Sequence, residues 1–195
     1  MDVADAHELF PHVRIVMGMI IGLGMTRLLM TVAGIIQHPK RSPISAIHLL
    51  WIASILTELV LFWWWEFSLF KLEYWTFGVT LFLIFYAITL FLLAALLSPD
   101  NIAEYNGYED FFLKRRLWFF GLFAATFALD IIDTYIKGGP YAGRFGLDYF
   151  IQVPLGAILC ILAISSTNRR IHLAVVLTHI AYQVYWISRF FYTVA

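Results

Sequence analysis

Glu58 stands near the centre of LLWIASILTELVLFWWWEF, Leu49 to Phe67. That stretch is long and apolar enough to cross a bilayer, since about 20 residues rising ~1.5 Å each cover the ~30 Å hydrocarbon core. A second apolar stretch carries Asp130 and Asp133, which share one helix face with Thr134 through their i, i+3 and i+4 spacing. A third holds Gln183, and there Tyr182, Trp186 and Arg189 share a face. A charge in lipid costs at least ~2.5–3.5 kcal/mol, so these groups should turn inward and meet. The expected cluster is an outward-opening polar pocket of Glu58, Asp130, Asp133, Gln183 and Arg189.

Two kinds of chemistry fit such a cluster. In the functional one, Glu58 or Asp130 exchanges a proton, or the pocket holds a cation or a small polar ligand while Arg189 balances charge. In the structural one, Arg189 and a single acid form an internal pair that fixes helix register, and Asp133 and Glu66 sit at the wet interface. Acids in excess of what one arginine neutralises keep the functional reading open. The histidines offer a third: His48 lies near the inner end of its span, and His179 shares a face with His172 and Trp186, so His48 and His179 can be weighed as ligands of a b-type haem or another metal. Histidines so placed more often hydrogen-bond between helices, and no cofactor is expected.

The elements that must position these residues are membrane helices. Hydrophobic residues make up 62% of the chain against roughly 45–50% in soluble domains, and the mean hydropathy is +0.80. The apolar residues come in blocks of bilayer length rather than on one face of amphipathic segments. The expected fold is all-α, one membrane domain of six transmembrane helices with short loops. The spans run approximately over 11–37, 44–70, 74–97, 117–137, 147–166 and 171–193, with one short interfacial helix over 108–116 before the fourth. The tryptophans Trp63, Trp64 and Trp65 mark a headgroup boundary, because indole rings favour it. Pro154 is expected to bend the fifth span near its start.

Within the first span Gly18, Gly22 and Thr26 recur four apart. That small-residue spacing lets a second helix approach closely in lipid. Arg27 lies deep enough in the same helix to need snorkelling or an acidic partner. The single cysteine, Cys160, allows no internal disulfide. The loop GGPYAGRFG, Gly138 to Gly146, lacks the preceding strand and the Lys-Ser/Thr pair of a phosphate-binding loop.

The formal net charge is zero, so no nucleic-acid partner is expected. Lys40, Arg41, Lys114 to Arg116, Arg169 and Arg170 fall at one side of the six spans, whereas Arg14, Lys71, Lys137, Arg144 and Arg189 fall at the other. The excess of basic residues belongs in the cytoplasm. Both termini are therefore expected outside, in the periplasm if the membrane is a bacterial inner membrane. No internal repeat relates the first three spans to the last three, which weakens the case for an inverted-repeat transporter. The resulting expectation is a non-enzymatic membrane protein in the bilayer, an accessory or scaffold subunit that associates with itself or with a membrane partner. The alternative is a small channel or transporter for protons, cations or a small polar solute.

Overall fold

Ser45 and Thr76 each end a non-helical stretch with a side-chain oxygen that accepts a backbone N–H three residues on, from His48 at 3.4 Å and Val79 at 3.2 Å. This is how a helix start satisfies its orphan donors. The computed structural model of the chain describes residues 6–72 and 75–191. Among them are seven α-helices: α1 (Ala6–Gln37), α2 (Ala46–Trp65), α3 (Phe77–Leu96), α4 (Tyr108–Lys137), α5 (Gly139–Ala142), α6 (Leu147–Ser165) and α7 (Arg169–Phe191). All except α5 are long and apolar enough to cross a membrane. The chain is thus an all-helical polytopic membrane protein with six spans.

The boundaries differ from expectation where capping decides them. The expected start of the third span, Tyr74, lies outside the described residues, and α3 begins at Phe77 because Thr76 caps it. Beyond Trp65 the second span tightens into a 3₁₀ turn, Glu66–Lys71. Tyr192, Thr193 and the C-terminal Ala195 also lie outside the described residues. The segment over 108–116 is helical as expected, but it is the first part of α4 rather than a separate helix. No proline or glycine interrupts the chain from Tyr108 until Gly121, and 30 residues at ~1.5 Å each reach about 45 Å, well beyond the hydrocarbon core. Pro154 lies inside α6.

The helix α2 is central and touches α1, α3, α4 and α7, while α1 packs mainly on α3, α3 also on α4, and α6 chiefly on α4. Contact between α6 and α7 is light. Trp51, Ile55 and Leu59 of α2 are fully buried in the core, with Leu83, Leu90 and Phe119 from α3 and α4.

The face of α1 that meets the bundle is a different one from that of Gly18, Gly22 and Thr26. Met17, Ile21 and Leu28 are buried, and with them Gly24, where an added Cβ would sit 3.5 Å from both Ala94 Cβ and Leu59 Cδ1. A Cβ added at Gly18 would sit 4.0 Å from Trp63 Nε1, one added at Gly22 would meet nothing within 4 Å, and exposed Thr26 bonds back to the Gly22 carbonyl at 2.8 Å. Within the chain Gly18, Gly22 and Thr26 therefore face outward.

Candidate functional site

Glu66 follows Trp65 at the step from α-helix to 3₁₀ turn, and Lys137 closes the last turn of α4. Both were expected at the wet boundary, and both are buried: the Lys137 side chain is 1% exposed and that of Glu66 3%. Lys137 Nζ donates to Glu66 Oε1 at 2.8 Å and also to Asp133 Oδ2, one helical turn back. Two carboxylates thus share one ammonium. Their second oxygens, Glu66 Oε2 and Asp133 Oδ1, are buried and have no hydrogen-bond partner within the protein.

These groups line one end of a cavity of about 60 Å³ between α2, α4, α6 and α7, to which α3 adds Tyr86. A polar cavity of that size holds on the order of two waters. Glu58 and Asp130 line it further in, and eight residues of rise place Glu58 roughly 12 Å from Glu66 along α2. Four carboxyl groups and one ammonium therefore face one space inside the spans. Tyr149 lies beside Asp130, with its hydroxyl 3.0 Å from Thr134 Oγ1.

Glu58 is held by a chain of side chains from α7. Gln183 Nε2 donates to Glu58 Oε2 at 2.8 Å and to the Ser54 carbonyl at 3.0 Å, while Ser54 Oγ donates to Gln183 Oε1 at 3.2 Å. With its proton so used, Ser54 Oγ accepts from His179 Nδ1, 2.7 Å away. The His179 ring stacks on Trp51 with centroids 5.7 Å apart. Ser54 and Glu58 of α2 thus meet His179 and Gln183 of α7 because both helices run apolar otherwise, and these buried polar groups find partners in each other.

The other wall is aromatic. Phe145, Tyr149 and Trp186 form a buried cluster separate from the main core, flanked by Tyr141, Tyr182 and Phe190. The short α5 lies between Gly138 and Gly146, whose φ values of 89° and 68° are open to glycine at little cost. These two turns fold Tyr141 back over Lys137, 5.2 Å from ammonium to ring centre. Burial pushes the Tyr141 phenol up to about 12, so it stays a neutral hydroxyl at the cavity wall.

Of the residues that sequence reasoning grouped, Glu58, Asp130, Asp133 and Gln183 share this cavity and Arg189 does not. Arg189 Nη1 instead donates to Asp148 Oδ2, and its side chain is 34% exposed. It stands in the last turn of α7, and its long stem carries the guanidinium outward. The cation of the site is Lys137, and the fourth acid is Glu66. The Asp133–Lys137 spacing of four was a legible signal for that pair. Arg27 reaches Asp100 at 2.8 Å near the opposite end, an acidic partner found by snorkelling.

The histidines are apart. His48 Nε2 donates to the carbonyl of Leu97, the C-cap of α3, at 2.7 Å, and its ring stacks on Tyr108. His172 Nε2 treats the Ser166 carbonyl after α6 in the same way, at 2.8 Å. Both satisfy helix-end carbonyls that have no intrahelical donor. His179, by contrast, belongs to the Glu58 chain, so His48 and His179 do not converge on one atom. Among the described residues no three His, Cys, Asp or Glu side chains are arranged to hold a metal ion. Neither a protein-family model, nor a curated protein, nor a solved structure matches this chain, and the functional reading of the cavity rests on its own geometry.

Proposed function

We propose that this chain takes up protons or a small cation in the acid-lined cavity, acting as a small channel or transporter. The observation that carries the reading is the charge balance of the lining: Glu58, Glu66, Asp130 and Asp133 face Lys137 alone. In a low-dielectric interior an uncompensated carboxylate is costly. The surplus negative charge is therefore cancelled by bound protons or by a cation, and either species is exchangeable if the space is hydrated. We take the chain to be no enzyme. Ser54 and His179 are in contact, but Ser54 is 1% exposed and does not line the cavity, which argues against that pair as a nucleophile and its base.

The test is proton uptake by purified protein in liposomes. Glu58→Gln keeps the Gln183 contact but cannot titrate, and it should abolish uptake while the melting temperature stays within a few degrees of the parent. A variant that melts like the parent and takes up protons at the parent rate would remove the function from this residue. The basic residues at the opposite ends of the helices support a Lys137 end that lies outside. In right-side-out vesicles uptake should then follow an acid step applied outside, and a response to an inner step alone would reverse the orientation.

A second reading, as a self-associating subunit, is favoured by the outward Gly18, Gly22, Thr26 face. Helices associate in lipid through close packing rather than through exclusion of water, and Gly22→Leu has room within the chain. It should leave the monomer's stability unchanged and shift any dimer in detergent to monomer. An unaltered oligomeric size would mean that this face looks only at lipid.

A further inference from the structure

Beside the acid cavity lies a second hollow of about 50 Å³, almost wholly apolar, lined by Leu155, Gly156, Leu159 and Cys160 of α6 and by Val175 and Thr178 of α7. It exists because α6 leans on α4 and meets α7 only lightly. At Gly156 an added Cβ would fall 2.4 Å from the Phe127 ring, so α6 is drawn onto α4 and away from α7 there. Leu155 is 45% exposed and Thr178 is also exposed, which leaves the cleft open on the side where hydrocarbon lies.

The cleft and the cavity share Phe123, Phe127, Gln152, His179 and Tyr182 as a common wall. The Tyr182 hydroxyl donates to Gln152 Oε1 at 2.5 Å, a single hydrogen bond that ties α7 to α6 where the two spaces meet. On one side of that wall is apolar surface some 12 Å long, from Gln152 to Cys160 at ~1.5 Å per residue. On the other are carboxylates, two of them with buried, unpartnered oxygens, among the rings of Tyr86, Tyr149, Tyr182 and Trp186. Aromatic faces with nearby carboxylates suit an ammonium group, which the rings attract through their quadrupoles and the acids through charge. An anionic or zwitterionic head would bring a negative charge to a wall that already holds a surplus.

We infer that the ligand is a lipophilic ammonium, a single-chain amphiphile that enters from the bilayer between α6 and α7, lays only the first few carbons of its chain in the cleft with the rest in the lipid, and places a compact primary ammonium head in the acid cavity. The inference rests on the proposed cation function of that cavity and specifies its substrate class. The Gln152–Tyr182 bond, where the two spaces meet, opens to let the head pass. The protons displaced from the acids by the arriving charge would couple head binding to proton release.

The probe is radiolabelled dodecylammonium, bound to the full chain in nanodiscs and corrected for empty nanodiscs. Binding should saturate, and unlabelled dodecylammonium should compete at least about tenfold better than methylammonium, a difference of ~1.4 kcal/mol, while dodecyl sulfate should not compete. Leu155→Trp and Thr178→Trp place bulk at exposed positions in the cleft mouth. Each should weaken the long-chain ligand by about tenfold or more and leave methylammonium binding and Glu58-dependent proton uptake as in the parent. Equal affinity for long and short ammoniums, or equal competition by dodecyl sulfate, would overturn the inference even with proton uptake intact. Loss of the Glu58 dependence itself would instead overturn the cavity's cation function.

Discussion

Lys137→Met should destabilise the protein more than the loss of either acid with which it pairs, by about 3–5 kcal/mol, the usual cost of stranding a buried charge. The asymmetry follows from the geometry. One ammonium serves Glu66 and Asp133 together, both nearly inaccessible. Removing it leaves two carboxylates in low dielectric with no cation. By contrast Glu66→Gln or Asp133→Asn each leaves a one-to-one pair, and either should cost well under half as much. The triple variant with Lys137→Met, Glu66→Gln and Asp133→Asn should recover most of the loss, because no charge is then stranded. Melting of the four variants beside the parent in one neutral detergent decides the matter. If Lys137→Met melts with the parent, the ammonium is not the partner of these acids in the folded state.

The same cluster explains what was legible in the sequence and what was not. The six spans were legible because each is a run of apolar residues of bilayer length, a one-dimensional property that no tertiary contact can alter. The meeting of Glu58, Asp130, Asp133 and Gln183 was legible for a thermodynamic reason, since polar groups at similar depth in lipid have few partners but one another.

The cations were misread because Lys and Arg carry their charge several ångströms from the Cα. Arg189 reaches out to Asp148, and Lys137 folds back to Asp133 and Glu66. Depth along the chain therefore ranks them in the wrong order. Glu66 was hidden by the three tryptophans before it. They read as a uniform headgroup belt, yet Trp63 and Trp64 face outward while Trp65 lines the cavity. The glycine face is subject to a related limit. Spacing gives a face but not which neighbour it meets, and the close approach to Ala94 and Leu59 falls at Gly24 rather than at Gly22. With Lys137 buried among acids, it no longer counts as a loop charge, and the basic excess at the opposite end widens.

Trp51→Ala should be the other severe change, and it bears on function as well as on stability. Trp51 is fully buried and meets Phe119, Phe120 and Phe123 edge to face at 4.9, 5.4 and 5.4 Å, with Phe112 stacked at 6.4 Å. In a bilayer little of this stabilisation is water exclusion, because the lipid is as apolar as the core. What the substitution removes is dispersion contact and ring geometry, and it leaves a void that costs about 24 cal/mol per Å³ if the walls do not collapse. A loss of roughly 3 kcal/mol is expected, at the low end for Trp→Ala in soluble cores. Trp51→Phe keeps a ring in place and discards an indole N–H that is buried without a partner, so it should cost far less. The functional consequence runs through His179, which stacks on Trp51 and donates to Ser54, which in turn fixes Gln183 against Glu58. Without the indole the imidazole loses its stacking surface, and proton uptake should slow in Trp51→Ala protein even at temperatures where it remains folded. Uptake at the parent rate in such folded protein would show that Glu58 does not depend on the α7 chain for its placement, and would confine Trp51 to the packing of α2 against α4.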